Sequence, residues 1–130
     1  MTTPKALIQS FYYHLDHGDP QGAFALLHPA VEWREAEGNP LADRNPYRGA
    51  AEIAEGVLGR LVSTYDHFAA TPEEFLAEGN RVIVFGRYTG THKPTEQKLD
   101  CPFVHSWTVE NGKIVQFQQY ADTEQLARLK

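Results

Sequence analysis

Residues 104–123, VHSWTVENGKIVQFQQYADT, contain the pattern that decides the fold. Two runs rich in β-branched and aromatic residues flank Asn111 and Gly112, and an Asn-Gly pair between such runs indicates a β-hairpin. Polar residues, among them His105 and Gln119, interrupt the apolar ones on both strands. These polar residues either cover a solvated face of a sheet or line a pocket.

Two registers of this hairpin are compatible with the sequence. If Asn111 and Gly112 form a two-residue turn, strand alternation places His105 on the same face as Tyr120, away from the helices. If the turn begins instead at Glu110, with Gly112 as a bulge, His105 faces inward with a largely apolar set of neighbours. That set is Phe103, Trp107, Val115, Phe117 and Gln119. The more apolar inner face favours the second register.

The remaining segments place helices before strands. Apolar residues at i, i+4 spacing, together with capping residues, predict helices at 4–17, 20–27 and 50–61, and a short final helix after Asp122. Strands are predicted at 31–35, 81–91, 99–109 and 113–121, whereas residues 63–76 are ambiguous. Helices that come first and antiparallel strands that follow indicate an α+β protein, with the N-terminal helices packed on one face of a curved sheet.

The composition narrows the class of protein. The 130 residues suffice for one domain, which we expect to span 1–130. A net charge of -5 with scattered basic residues argues against nucleic acid and membranes as partners. No segment approaches the roughly 18 apolar residues of a membrane span, and the N-terminus lacks signal-peptide features. Because Cys101 is the single cysteine, a cytoplasmic location is expected.

Neither a cofactor nor a metal ion is expected from the motifs. The glycine-containing segments GVLG and GRYTG match neither of the phosphate-binding fingerprints. The six histidines include no i, i+4 pair joined by a carboxylate, so the sequence lacks a recognisable zinc motif.

The order of these landmarks resembles a known family. The pair Gly18-Asp19, the segment LLHPAVEW at 26–33 and the hairpin at 105–123 are similar to the SnoaL-like branch of the nuclear transport factor 2-like superfamily. Bacterial ketosteroid isomerases and polyketide cyclases belong to this superfamily. The resemblance covers nearly the whole chain. It implies a cystatin-like roll, in which a cone-shaped curved sheet wraps the helices around an apolar pocket, and a homodimer formed through the sheet.

The resemblance to ketosteroid isomerases is partial. Those enzymes use a carboxylate base in an apolar pocket and two hydrogen-bond donors for the developing oxyanion. Counted from the shared landmarks, the base position falls on Glu35, the tyrosine donor position on Phe11 and the acid donor position on Val104. This alignment favours the first hairpin register. Since neither Phe11 nor Val104 can donate, steroid isomerase activity itself is not expected.

Other enzymes of the superfamily also match in part. In the polyketide cyclases a histidine corresponds to His105, but the catalytic aspartate falls at Gln119, and an amide cannot transfer a proton as a carboxylate does. Asp122 would replace it only after a shift of the last strand, and its simpler role is to cap the final helix. Epoxide hydrolases use an Asp–Arg–Asp set; Arg87 and Asp100 are of the right types, but Arg87 lacks the carboxylate two residues on.

Together, the residues and the resemblance predict a protein that binds a small apolar molecule. As an enzyme it would transfer a proton next to a carbonyl, with Glu35 as the base and with His105 and tyrosines orienting the oxygen. The side chains expected to contact the ligand are Phe11, Trp33, Tyr88, Val104, Trp107, Phe117, Gln119 and Tyr120. The alternative is a ligand-binding or accessory module without chemistry, and epoxide hydrolase or dehydratase activity is less favoured.

Overall fold

Helices dominate the first half of the protein and strands the second. The structure, a computed structural model, describes residues 2–129. Its helices are α1 (Pro4–Asp16), α2 (Pro20–Phe24), α3 (Gly49–Ile53), α4 (Gly59–Thr64) and α5 (Thr123–Arg128). Its strands are β1 (Leu27–Arg34), β2 (Tyr47–Arg48), β3 (Tyr65–Glu78), β4 (Arg81–His92), β5 (Lys98–Glu110) and β6 (Lys113–Ala121). A 3₁₀ helix covers Pro40–Arg44, and a π-helical turn, Ala54–Leu58, joins α3 to α4.

The strands form a single curved sheet in the order β2-β1-β6-β5-β4-β3. Neighbouring strands are antiparallel, except that β1 runs parallel to β6. The ambiguous segment 63–76 belongs mainly to β3, which pairs with β4 from Tyr65 to Glu78. Helix α1 packs against β3 and β4. The predicted α+β class, with N-terminal helices on a largely antiparallel sheet, is therefore confirmed.

Helix α1 buries one apolar face against the sheet. The side chain of Thr3 caps it by accepting a hydrogen bond from the backbone N–H of Ala6. Its buried residues are Leu7, Ile8, Phe11 and Tyr12. Pairs of adjacent residues separated by one turn lie on the same side of a helix. Both Phe11 and Tyr12 therefore reach the interior.

Strand β1 begins earlier than predicted. Helix α2 ends at Phe24, and Leu27, expected to be helical, already pairs with Ile114 of the parallel strand β6. The backbone N–H of Ile114 donates to the carbonyl of Leu26, so tertiary pairing overrides the local helical pattern. The strand ends at Arg34, and Glu35 is the first residue after it.

The β5–β6 hairpin has the two-residue turn of the first predicted register, but His105 faces inward as in the second. Asn111 and Gly112 both have positive φ angles, 51° and 76°, as a two-residue type I′ turn requires. The register then shifts between Thr108 and Val109, because Val115 is an extra residue on β6. His105 consequently pairs with Gln119, and Trp107 with Phe117. A β-bulge thus turns His105 inward, as the second register predicted, without the turn that register assumed.

Gly86 is required where β4 meets its neighbours on the inner face. It is buried, and a Cβ atom there would collide with the ring of Phe103 and with the carbonyl oxygen of Thr71.

We expect Gly86→Ala to lower the free energy of unfolding by about 1–3 kcal/mol through overpacking, although alanine is the better strand former. Urea denaturation measures the change. The exposed Thr89, substituted by alanine in the same strand, should change it by less than about 0.5 kcal/mol. Equal stability of Gly86→Ala and the wild type would contradict the packing argument.

Candidate functional site

A cavity of about 1060 Å³ lies between the helices and the inner face of the sheet. Its wall is largely aromatic, and includes Phe11, Trp33, Trp107 and Phe117. The rings of Trp33 and Phe117 stack with centroids 3.8 Å apart. Polar side chains also line the cavity, among them Tyr12, Glu35, Asn39, Arg60, Tyr88, His105 and Gln119. A mainly apolar pocket with a few convergent polar groups is typical of small-molecule sites.

Glu35 presents a carboxylate to this cavity. Its main chain is held by Asn45, whose side chain accepts from the Glu35 N–H at 2.9 Å and donates to the Glu35 carbonyl at 2.8 Å. The indole N–H of Trp33 donates to Oε2 at 3.0 Å. Oε1 has no hydrogen bond to another described residue. Every fully buried side-chain nitrogen or oxygen among residues 2–129 does have a partner, so Oε1 is not fully buried. Oε1 therefore opens to the cavity, where a ligand can reach it.

Burial makes the Glu35 carboxyl a weak acid. Loss of water around it raises its pKa from 4.5 to about 7, and the hydrogen bond from Trp33 and the charge of Arg60 oppose this to a smaller extent. Arg60 is itself paired with another carboxylate, since it donates two hydrogen bonds of 2.8 and 3.1 Å to Asp43. Glu35 consequently changes charge near neutral pH, which suits a group that accepts and returns a proton.

His105 lies at the centre of a buried hydrogen-bonded chain. Its Nδ1 is 2.5 Å from the hydroxyl oxygen of Tyr12, and its Nε2 is 2.6 Å from that of Tyr88. Burial holds the pKa of His105 well below its usual range, so the ring is neutral at neutral pH. Burial also raises the pKa of both tyrosines, so both hydroxyls stay protonated. Since both ring nitrogens of His105 are hydrogen-bonded to tyrosine hydroxyls, the tyrosines stand between these nitrogens and a ligand.

Gln119 connects this chain to the segment after β1. Its Oε1 accepts from the backbone N–H of Ala36 at 3.1 Å and from the side-chain amide of Asn39 at 2.8 Å. A backbone N–H can only donate, so this contact settles the orientation of the Gln119 amide. Its NH₂ group therefore donates to the hydroxyl of Tyr88, at 2.7 Å. Gln119 is thus a structural link at the position where cyclases carry a carboxylate.

The structure brings most of the predicted site residues together. Those that line the cavity are Phe11, Trp33, Glu35, Tyr88, His105, Trp107, Phe117 and Gln119. Val104 and Tyr120 are cross-strand partners on the opposite face of the sheet, since strand alternation turns them away from His105 and Gln119. The structure therefore does not bring these two residues to the cavity.

The groups considered for other chemistries lie outside the cavity. Arg87 donates to Asp100 at 2.8 Å on the exposed face of the sheet. Asp122 caps α5 by accepting a hydrogen bond from the backbone N–H of Gln125. No cluster of three His, Cys, Asp or Glu side chains able to hold a metal ion occurs among residues 2–129. Across the same described range, no helix has the length and apolar character needed to cross a membrane.

Sequence reasoning missed part of the site. Tyr12 was not among the side chains expected to contact the ligand, although its spacing of four residues from Ile8 places it on the buried face of α1. Asn39 belongs to the loop after β1 and reaches the cavity through its contact with Gln119. Such a contact between distant parts of the chain has no local sequence signal.

Replacing Glu35 by glutamine should change the pH dependence of stability. Because the folded-state pKa of about 7 exceeds the ordinary 4.5, the folded protein binds this proton more tightly than the unfolded chain. The wild type therefore loses up to about 3 kcal/mol of unfolding free energy from this group as the pH rises from 4.5 through about 7. Denaturation at about pH 5 and about pH 8 should show Glu35→Gln gaining relative to the wild type at the higher pH.

The exposed Glu37 provides a matched control. Glu37→Gln should retain the wild-type pH dependence. His105 acts in the opposite direction, because a lowered histidine pKa removes stability as the pH falls below 6.5. This contribution is common to all three proteins and cancels in the comparison. If Glu35→Gln and the wild type respond identically to pH, the carboxyl pKa is not raised.

Comparison with known proteins places this site in context. An NTF2-like protein from Burkholderia thailandensis is 36% identical, with 99% of this chain and 98% of that chain covered and a TM-score of 0.94. TerC, whose structure was determined after co-crystallization with polyporic acid, is 30% identical over 98% of both chains, with a TM-score of 0.85. A Xanthomonas campestris protein of unknown function with a cystatin-like fold is 21% identical over 99% and 98% of the two chains, with a TM-score of 0.82, and shares the fold. No curated protein shows significant similarity.

The family itself follows from a match along most of the sequence. The SnoaL-like domain matches residues 8–117, which include most of helix α1, Glu35, His105 and the bulge at Val115. The resemblance based on the hairpin and the LLHPAVEW segment is confirmed, and so is the cystatin-like roll. The chain belongs to the SnoaL-like family of the NTF2-like, ketosteroid isomerase-like fold.

Proposed function

We propose that this protein is an enzyme that moves a proton at the carbon next to a carbonyl group in a small, mostly apolar ligand. The observation that carries the proposal is the Glu35 carboxylate, which is buried, has one oxygen open to the cavity and has a pKa of about 7. A general base is most effective when its pKa lies near the working pH. The aromatic wall would hold the apolar part of the ligand.

In this reaction Glu35 Oε1 takes a proton from the carbon next to the carbonyl. The electron pair of the broken C–H bond forms the enolate, and the negative charge develops on the carbonyl oxygen. A tyrosine hydroxyl of the Tyr12–His105–Tyr88 chain donates a hydrogen bond to that oxygen. The charge of Glu35 contributes to the raised pKa of Tyr88, which supports their lying close enough to act on one ligand. Return of the proton to the same or a neighbouring carbon completes exchange or isomerisation.

The donors in this proposal differ from those of the ketosteroid isomerases. The corresponding positions hold Phe11, which cannot donate, and Val104, which lies on the outer face. Tyr12 and Tyr88 supply hydroxyls from other positions of the same cavity. His105 is then a positioning residue, because both of its nitrogens bind these hydroxyls.

A ligand-binding module without chemistry is the second candidate. It is favoured by the absence of donors at Phe11 and Val104. The relative TerC was co-crystallized with polyporic acid, which supports binding of a small organic molecule in either case. The two candidates differ in one measurable respect, which is whether Glu35 exchanges a proton with a bound carbonyl compound.

Deuterium exchange into β-tetralone separates the two candidates. This bicyclic ketone has acidic C–H bonds next to its carbonyl, and NMR in D₂O follows their replacement by deuterium. We expect the wild type to accelerate exchange and Glu35→Gln to reduce the protein-catalysed rate by about 10²–10⁴-fold, because the amide cannot accept the proton. Glu37→Gln, which changes an exposed carboxylate two residues away, should exchange at the wild-type rate.

The pH profile gives a second readout of the same step. The wild-type rate should rise as the pH increases and level off above about 7, where Glu35 is ionised. Exchange that is equally fast in the wild type and Glu35→Gln, or no faster than in buffer, would remove the base role and leave the binding module.

We further propose that a second copy of the chain covers the outer face of the sheet, as the family resemblance implies. Phe85, Val104 and Tyr120 form a row across three strands of that face. The side chains of Phe85 and Tyr120 are 37% and 57% exposed, which is unusual for large aromatic residues.

Sedimentation equilibrium tests the dimer. The wild type should sediment as a dimer, whereas Tyr120→Arg should weaken association by introducing an unpaired charge into the apolar row. His17→Arg, a change at an exposed residue of the N-terminal helical region, is the control and should leave association unaltered. A monomeric wild type, or association insensitive to Tyr120→Arg, would contradict the proposed interface.

A further inference from the structure

The buried Tyr12–His105–Tyr88 chain is bounded at both ends by groups that donate hydrogen bonds. The indole N–H of Trp107 donates to the Tyr12 hydroxyl oxygen at 3.1 Å, and an indole N–H cannot accept. The amide of Gln119, whose orientation is set by its backbone partner, donates to the Tyr88 hydroxyl oxygen at 2.7 Å. Each tyrosine oxygen therefore already accepts one hydrogen bond before His105 is considered.

Counting the protons in the chain shows that one hydroxyl proton is always left over. A neutral imidazole has one N–H donor and one acceptor nitrogen. If Nε2 of His105 carries the proton, it donates to Tyr88, and the Tyr12 hydroxyl donates to Nδ1; the Tyr88 proton is then unused. If Nδ1 carries the proton, it donates to Tyr12, and Tyr88 donates to Nε2; the Tyr12 proton is then unused.

The leftover proton has no protein acceptor in the described part of the chain. Beyond the contacts to His105, the Tyr12 and Tyr88 hydroxyls contact donors, Trp107 and Gln119. Both tyrosines line the cavity, so the unused O–H is available to a ligand there. A buried donor without an acceptor is costly, which makes an acceptor atom from the ligand favourable at this place.

We propose that the cavity contains a subsite for one acceptor oxygen of the ligand, which is a carbonyl or enolate oxygen. Tyr88 donates a hydrogen bond to this oxygen when Nε2 of His105 carries the proton, and Tyr12 donates when Nδ1 carries it. The two hydroxyls lie on opposite edges of one imidazole ring, so the ligand has two alternative places for its oxygen. The cluster stays neutral in both arrangements. The subsite deepens the proposed function by naming the groups that hold the ligand oxygen, but binding at it does not require Glu35 to act as a base.

Redundancy between the two tyrosines is the property that distinguishes this subsite from a fixed donor. In the absence of Tyr12, Nε2 can donate to Tyr88 and leave the Tyr88 proton available. In the absence of Tyr88, Nδ1 can donate to Tyr12 and leave the Tyr12 proton available. Each single removal therefore preserves one hydroxyl donor, and removal of both leaves no hydroxyl, only the N–H groups of His105, Trp107 and Gln119 that had been bonded to the lost oxygens.

The experiment compares the affinities of β-tetralone and of tetralin, its counterpart without the oxygen, by calorimetry at about pH 7. The ratio of the two affinities isolates the contribution of the oxygen, because packing changes in a variant affect both probes. The wild type should prefer the ketone by about tenfold, the value of one ordinary hydrogen bond. Tyr12→Phe and Tyr88→Phe should each keep the preference within about threefold, and the double variant should lose the preference for the ketone.

Three results would overturn the subsite. The first is loss of the whole preference in one single variant and of none in the other, which would indicate a fixed donor. The second is a double variant with the full wild-type preference. The third is a wild type without a preference, including the case in which it binds neither probe. Deuterium exchange with Glu35→Gln tests the base separately, so failure of one proposal is distinguishable from failure of the other.

A measurement on the wild type alone keeps the proposal testable if the double variant does not fold. In ¹⁵N NMR of labelled protein, the His105 signals are those missing from His105→Gln. At about pH 7 the ring should carry one proton, distributed between Nδ1 and Nε2, and addition of β-tetralone should change the fraction on each nitrogen. Two protonated nitrogens would mean that both hydroxyl protons are unused, and would overturn the single-donor arrangement.

Discussion

The register between β5 and β6 is the constraint on which the rest of the structure depends. Side chains alternate between the faces of a sheet, so a shift of one residue exchanges the inner and outer sets completely. The two-residue turn at Asn111 and Gly112 would by itself place His105 opposite Gln118. The extra residue Val115 moves the pairing by one position, and His105 then lies opposite Gln119. Without this bulge the polar centre of the cavity would lie on the outer face of the sheet.

The polar centre is compatible with an apolar interior because each of its nitrogen and oxygen atoms has a hydrogen-bond partner. No buried side-chain nitrogen or oxygen among residues 2–129 lacks a hydrogen-bond partner. Gln119 is the link, since it accepts from the segment after β1 and donates to Tyr88 on β4. Buried networks of this kind hold their members in one geometry, because each group that moved would leave another unpaired. The cavity therefore keeps its hydroxyls and its carboxylate in place in the absence of a ligand.

Burial shifts the pKa values of Glu35 and His105 in opposite directions for the same physical reason. Removal of water disfavours the charged form of each, so the pKa of the carboxyl rises and the pKa of the imidazole falls. His105 is thereby held neutral, and it can share a single proton between Tyr12 and Tyr88. Glu35 retains Trp33 and the more distant Arg60 as favourable partners, and its pKa stops near neutrality. The apolar wall of the cavity thus sets the protonation of the groups facing it.

Local patterns in the sequence determined the class of fold, the order of most of its elements, and the caps at Thr3 and Asp122. These features depend on periodicity and on residues a few positions apart, which a single sequence displays directly. Only the tertiary structure decided the bulge and the linking role of Gln119. Each of these depends on contacts between segments distant in the chain, whose pairing is selected by the packing of the whole sheet against its helices.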